Sequence, residues 1–354
     1  MLRVLHIVPR VPPAVCGVGD FAWNIASGLK RDHNMSNTFI AAGVSGYVPS
    51  ENPEFRVVRA ECGEPLLRAL ITEAPHHDVV LLQLSGYGFA KRGAPVSLAR
   101  AITTFQRSER CRPLVTMFHE LYASGPIHTS AFWLKPLQKL ALRMIVRASA
   151  AVRTNRHQYA IWLAAQRGED VHSITKLPIF SSLGEAASFR PHSERKKHLL
   201  LFQPPGDAEF WNAVTQIRRA RDTSGIVAAG RVGAIPPEHR VEQLGYVTAA
   251  AAGALLNDSA LGLLSYYDGY LSKSSLFAAY AAHGITTLLP TVNHSEDDGV
   301  QHGVHYLTPE QMNRSAGELE ENGRALFAWY QNHSLSATVT SFARQLQSVC
   351  ASRR

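Results

Sequence analysis

Short apolar runs recur along the chain at residues 4–8, 38–42, 55–58, 79–84, 114–118 and 150–153, separated by stretches with helical spacing of apolar positions. Runs this short, alternating with amphipathic helices, predict strands of a mostly parallel sheet. A second series starts at 198–202 and continues through 225–229, 260–265 and 285–289. The restart predicts a second domain of the same α/β class. From Pro309 to Arg354 the pattern reads as two helices separated near Asn332-His333-Ser334.

Between the two series runs Phe189-Arg190-Pro191-His192-Ser193-Glu194-Arg195-Lys196-Lys197, a polar stretch suited to a linker. The expected division is therefore 1–190, 191–330 and a terminal helix over 331–354 that packs back on the first domain. The basic triplet at 195–197 also reads as a nucleic-acid contact, but it lacks the interleaved aromatics that single-strand binders use. No nucleic-acid partner is expected. A length of 354 residues fits two domains better than one core.

Hydrophobic residues at 45% and charged residues at 18% are ordinary for a globular chain. Cys16, Cys62, Cys111 and Cys350 are scattered without a C-x-x-C pair, which points away from a disulfide framework or a thiolate zinc site. The apolar start at 4–8 is too short for a signal segment, and 248–264 is broken by Asn257-Asp258, so a cytoplasmic location without a membrane span is expected. Charge is uneven: residues 1–190 hold 22 Lys and Arg against 13 Asp and Glu, a net of +9, whereas 191–354 carry a net of −1. A field of that sign attracts anionic surfaces or ligands.

Three segments carry candidate chemistry. After the first strand, a proline-rich loop leads to Gly17-Val18-Gly19-Asp20 and a helical pattern through Trp23, Ile25, Ala26 and Leu29. Glycines before a helix let a ligand approach bare N–H groups, which favour anions. Gly17-x-Gly19-x-x-Ala22 also matches a dinucleotide fingerprint, but eight residues separate it from the strand and Ala41-Ala42-Gly43 offers no ribose-binding acid. A glycine-rich surface connection is the plain alternative. Second, His119-Glu120 directly follows the strand at 114–118, where an open parallel sheet presents side chains to ligands.

The third segment runs Tyr267-Asp268-Gly269-Tyr270-Leu271-Ser272-Lys273-Ser274-Ser275 into a helical pattern ending at His283-Gly284. Ser272 or Ser274 can cap that helix, and a helix start beside Lys273 suits a diphosphate. A simple capped helix is the alternative.

The stretch 268–284 resembles a variant found in retaining glycosyltransferases of the GT-B fold, the group 1 or family 4-like enzymes, in which "D-G-x-S-x-R/K" replaces two glutamates eight positions apart. Residues 13–29 resemble the same family's "P-x-x-G-G-V-G-D-Y", and His119 falls where its histidine follows a strand. The resemblance implies two Rossmann-like domains with parallel sheets facing a central cleft, acceptor side first and donor side second. It implies transfer of a sugar from a nucleoside-diphosphate-sugar to a hydroxyl acceptor, with no cofactor and no metal, in polysaccharide or glycolipid assembly. By the same resemblance Gly17 and Gly19 approach the diphosphate or sugar, and His119 contacts the sugar at the reacting carbon. Lys273, Ser274 and Ser275 hold the diphosphate, with Asp268 and Gly269 on the same donor loop. Leu271 and Ala279 stand at the glutamate positions, and Phe202-Gln203-Pro204-Pro205-Gly206 replaces a "G-R-x-x-x-x-K". A non-catalytic sugar-nucleotide-binding protein and a nicotinamide oxidoreductase remain as alternative readings.

Apart from the resemblance, Lys135, Lys139, Arg143 and Arg147 recur every four residues and predict a basic ridge, with Leu137, Leu140, Met144 and Ile145 toward the core. Phe132 and Trp133 at its start suggest a membrane-surface helix, which points to an anionic bilayer or a lipid-linked acceptor as partner; a solvated face is the alternative. His294, Glu296, Asp297, Asp298, His302 and His305 share a polar loop without a defined ligand geometry, and no metal site is expected there.

Overall fold

The computed structural model describes residues 1–43, 54–123, 125–221, 223–293 and 296–352, with only the backbone described for Ser130, Ala131, Glu296 and Asp297. The chain divides into two compact units, Met1–Leu177 with Thr338–Arg354, and Pro178–Ala337.

The first unit runs β1 (Arg3–Val8), α1 (Gly17–His33), β2 (Ser36–Ala41), β3 (Arg56–Arg59), α2 (Glu64–Glu73), β4 (Val79–Leu84), α3 (Gly86–Phe89), α4 (Val96–Gln106), β5 (Leu114–Phe118), α5 (Ser130–Ala148), β6 (Ala151–Thr154), α6 (His157–Arg167) and β7 (Thr175–Lys176). Among the described residues its strands form one parallel sheet in the order β3-β2-β1-β4-β5-β6-β7. The central strands are buried on both faces, which is why they read as continuous apolar runs rather than alternating ones. One face packs Leu5, Ile7, Leu82, Leu84 and Phe118 against α2, α4, α5 and α6, and the other packs Val8 and Phe39 against Ala22 and Ala26 of α1. The helix α1 carries Asp20 in its first turn and Lys30, Arg31 and His33 in its last, complementing its dipole.

The second unit runs β8 (Lys196–Phe202), α7 (Ala208–Ala220), β9 (Ile226–Ala229), β10 (Val241–Gln243), α8 (Ala249–Asp258), β11 (Ser259–Leu263), α9 (Ser275–Ala282), β12 (Thr286–Leu288), the hairpin β13 (Glu296–Asp297) and β14 (Val300–Gln301), and α10 (Ala316–Gln331). Its parallel sheet has the order β10-β9-β8-β11-β12. Side-chain caps fix the helix starts: Phe210 N–H donates to Asp207 Oδ1 at 2.8 Å, and Ser315 with Glu318 forms a capping box on α10. The last helix, α11 (Leu335–Ala351), contributes its residues from Thr338 onward to the first unit. There Val339 meets Gly28 of α1, and the buried Arg153 guanidinium lies 3.4 Å over the Phe342 ring while donating to Ser341 and Gln345.

The stretch expected as a linker belongs instead to the second unit. Arg195 is buried and donates to the carbonyls of Arg190 and Ser259, while Lys196 and Arg190 both pair with Asp258. Those partners take up Arg195 and Lys196 of the basic triplet and leave Lys197 exposed. A second correction concerns α5. Ile145 is buried and Met144 packs partly buried against the core, but Leu137 and Leu140 face solvent, and the fully buried positions are Gln138, Ala141, Leu142, Ile145 and Val146. No helix among the described residues is long and apolar enough to cross a membrane.

Candidate functional site

In an open parallel sheet, ligands bind beyond the carboxyl ends of the strands where the strand order reverses. In the second unit the reversal falls between β8 and β11. The chain leaves β11 at Leu263 and makes a six-residue 3-10 segment, Asp268–Lys273, before α9 starts at Ser275. All five residues expected on the donor side, Asp268, Gly269, Lys273, Ser274 and Ser275, are gathered on this turn.

Their individual roles differ. Ser274, not Ser272, caps α9: its Oγ accepts from Phe277 N–H at 3.2 Å. That leaves the N–H groups at the first two helical positions, Ser275 and Leu276, outside the intrahelical ladder. Ser275 is exposed, Lys273 is half-buried with its Nζ 5.6 Å over the Tyr270 ring, and no acid occupies the first turn of α9. The Asp268 carboxylate is buried and accepts from Gly269 N–H at 3.0 Å and Asn293 N–H at 2.5 Å. Ser272 donates to Asp298 at 2.8 Å and accepts at its carbonyl from Ile179 N–H. Asp268 and Ser272 thus brace the turn from beneath, while Lys273 and Ser275 are left nearer the surface.

Leu271 and Ala279, at the positions where the resemblance expects glutamates, are both buried. The loop after β8 is closed by backbone contact: Gly233 N–H donates to Pro204 O, and a Cβ on Gly233 would lie 2.3 Å from Gly206 N. No Arg/Lys pair occurs in that loop. A Gly-Arg pair stands one strand later, with Arg231 exposed just past β9. Tyr266, Tyr267 and Tyr270 are part-exposed beside the turn, with the Tyr267 and Tyr270 rings 5.4 Å apart. The sequence pattern assigns these tyrosines no role; an aromatic cluster next to Lys273 and a helix start is the signal that marks them.

In the first unit the reversal falls between β1 and β4, beside the start of α1. Gly17 is open, with nothing near the place of a Cβ, whereas a Cβ on Gly19 would lie 2.3 Å from the Arg10 carbonyl oxygen. The bareness of Gly19 is therefore used by the fold itself. Cys16 caps α1 through Sγ, which accepts from Gly19 N–H at 3.4 Å. Asp20 is raised above the usual carboxylate range by partial burial.

His119 sits one residue past β5, is buried, and meets Phe21 of α1 edge-on with ring centroids 4.9 Å apart. Its Nε2 lies 2.8 Å from Gln83 Oε1. Gln83 Nε2, at the end of β4, and Asn155 Oδ1, just past β6, are buried without a hydrogen-bond partner. Buried polar atoms left unpaired cost free energy that a ligand hydroxyl or a water would recover. Neither residue has a motif signature, so the sequence offered no means of selecting them. Ser85 donates to Glu120 at 3.0 Å on the same edge.

Lys135, Lys139, Arg143 and Arg147 are on α5. His302 bonds Gln311 at 2.8 Å, His305 accepts from Gln301 N–H, and Asp298 holds Ser272. His294 and the side chains of Glu296 and Asp297 lie outside the described residues.

No protein-family model matches the chain, and no curated protein matches it either. Solved structures do. HepE from Anabaena, in complex with UDP, superposes on 98% of this chain and 100% of its own with a TM-score of 0.60 at 13% identity. An α-glucosyltransferase in complex with UDP and a 13-mer DNA matches over 99% and 100%, with a TM-score of 0.61 at 10% identity. The lipopolysaccharide outer core galactosyltransferase WaaB in its apo form matches over 98% and 100%, at 0.58 and 10%. The fold is GT-B. Both Rossmann-like units of a GT-B chain are present, each with a parallel sheet whose order reverses once beside a helix start.

Proposed function

We propose that the protein transfers a sugar from a nucleoside-diphosphate-sugar to a hydroxyl acceptor. The observation that carries this reading is the head of α9, where Lys273, the leading N–H groups and the helix dipole meet at the switch point of the second sheet without an acid in the first turn. Each of these favours a diphosphate. The UDP complexes of HepE and the α-glucosyltransferase support the same class of ligand.

The chemical task is to stabilise a leaving diphosphate and an oxocarbenium-like centre. Lys273 and the N–H groups of Ser275 and Leu276 meet the charge of the leaving group, so the reading needs no metal ion and no cofactor. The sequence resemblance adds Gly17, which is open at the Cβ position, as an approach for the diphosphate or sugar, and His119 as a contact for the sugar. Gln83 and Asn155 offer a donor and an acceptor to sugar hydroxyls on the acceptor side. Retention at the anomeric carbon and a role in polysaccharide or glycolipid assembly follow the sequence resemblance.

Purified protein incubated with UDP- and GDP-sugars tests the proposal. One nucleoside diphosphate should raise the melting temperature in proportion to the logarithm of its saturation, and the matching sugar nucleotide should be slowly hydrolysed. Absence of both responses across the panel overturns the reading.

A non-catalytic binding protein is the second reading, favoured by the buried Leu271 and Ala279. Stabilisation by the diphosphate without any hydrolysis or transfer would select it. The nicotinamide reading is weakened at Gly43, just past β2, where a Cβ would lie 2.3 Å from the Pro9 carbonyl oxygen and leave no space for a ribose-binding acid.

A further inference from the structure

The inner side of α5 buries Gln138, Ala141, Leu142, Ile145 and Val146 against the sheet. Its outer side does not follow the usual division into core and polar faces. Trp133 is 68% exposed and Leu140 52%, with Phe132 and Leu137 also open to solvent. At about 100° per residue, Trp133, Leu137 and Leu140 form one outward stripe, and the ridge of Lys139, Arg143 and Arg147 winds toward it from one side, with half-buried Lys135 further round the helix. The helix contains no acidic residue. None of the four cations pairs with a carboxylate among the described residues: Lys135 and Lys139 lie over the Tyr122 ring at 5.4 and 4.5 Å, and Arg143 donates to Gln166.

We infer that this outer face of α5 docks the protein on an anionic lipid bilayer. The charge and apolar stripes must be satisfied by the same partner. A nucleic-acid backbone would neutralise the ridge and leave Trp133 and Leu140 in water, and an apolar protein surface would cover the stripe and leave four cations facing it. A bilayer interface meets both, with headgroup phosphates against the ridge and the indole and leucines at the acyl boundary. Four apolar side chains make such binding reversible and salt-sensitive rather than permanent. The inference is independent of the transferase reading, and its test involves no sugar nucleotide.

The test is cosedimentation of the full chain with vesicles of phosphatidylcholine alone and of phosphatidylcholine mixed with phosphatidylglycerol. The mixed vesicles should capture the protein and the neutral ones should not, with capture falling as salt rises. Lys139→Glu with Arg143→Glu, and separately Trp133→Ser with Leu140→Ser, should each weaken capture about tenfold or more. Trp133, Leu140 and Arg143 are exposed and Lys139 is half-buried against the Tyr122 ring, so melting curves confirm that each double variant is folded before its capture is compared. Quenching of tryptophan fluorescence by brominated lipid should disappear in Trp133→Phe. Equal capture by both vesicle types, or undiminished capture of either double variant, would overturn the inference. So would duplex DNA that displaces the wild type from vesicles and still binds the Trp133→Ser, Leu140→Ser variant, because the face would then be a phosphate-backbone surface.

Discussion

His119 Nε2 lies 2.8 Å from Oε1 of Gln83, a side chain at the end of β4 with no solvent exposure. With Gln83 Oε1 as acceptor, the Nε2 proton is fixed on the ring and the imidazole plane is set by a strand rather than by a loop. Phe21 meets the same ring edge-on, with centroids 4.9 Å apart. His119→Ala should lower turnover of the sugar nucleotide about 10²-fold. Gln83→Leu keeps the ring but not its orientation, and should lower kcat about tenfold with little change in KM. Steady-state kinetics of the two variants, with melting curves to show that both fold, checks this; wild-type kcat in Gln83→Leu would detach the hydrogen bond from the chemistry.

The cap of α9 separates folding from anion binding. Ser274→Ala removes the acceptor for Phe277 N–H and should cost about 1 kcal/mol of stability. Ser274→Asp keeps a capping oxygen and adds a negative charge where the diphosphate is proposed to lie. It should melt like the wild type and bind nucleoside diphosphate about tenfold or more weakly. Lys273→Ala should lower turnover about 10²-fold. Melting curves read the first, calorimetric titration with UDP and GDP the second and steady-state turnover the third; unaltered affinity in Ser274→Asp together with unaltered turnover in Lys273→Ala would move the phosphate site away from α9.

The two glycines at the start of α1 are predicted to behave differently. A methyl group on Gly19 meets the Arg10 carbonyl oxygen at 2.3 Å, so Gly19→Ala should destabilise the protein by about 1–3 kcal/mol whether or not ligand is present. Gly17 has open space around the Cβ position, and Gly17→Ala should fold normally. Any loss of activity in Gly17→Ala with an unchanged melting temperature reports on the ligand, whereas the same loss in Gly19→Ala reports on the loop. Comparing denaturant midpoints of the two variants decides it.

Much of the architecture was legible because strands buried on both faces leave apolar runs that need no partner to be recognised. The runs at 79–84 and 114–118 coincide with β4 and β5. Edge strands leave no such trace: β10 has two exposed residues of three, and β7 is only Thr175–Lys176. The turn before α9 and the helix it starts were legible because a capping serine and a stop glycine are local chemistry; Gly284 adopts φ +63 just past α9. The polar pair Gln83 and Asn155 carries no such local signal: Gln83 reaches His119 only through the pairing of β4 with β5, and Asn155 follows β6, the next strand of the sheet. The orientation of α5 was misread for a related reason. Helical period fixes which residues share a face, but which face turns inward depends on the sheet beneath, and Gln138 rather than Leu137 or Leu140 faces it, with its side chain bonded to Ala123 N–H and Arg92 O.

Stability should fall on acidification, and the cause is buried imidazole. His6 is wholly buried on β1 with Nε2 at 2.8 Å from Asn37 Oδ1, and loss of hydration pushes its pKa down to about 4. His333, between α10 and α11, is pushed down to about 3 for the same reason. His77, His198 and His283 are displaced in the same direction by burial. Above about pH 6.5 these rings are neutral both folded and unfolded, and their contribution to stability is fully present. Below it the unfolded chain takes up protons that the fold refuses, so stability declines with falling pH until the folded values are reached. His6 and His333 should each remove about 2 kcal/mol between about pH 6.5 and 5. Urea midpoints across that range should fall in the wild type and fall less in His6→Gln and His333→Phe, even though both variants start from lower stability at neutral pH. An unchanged slope in both variants would assign the acid sensitivity to other groups.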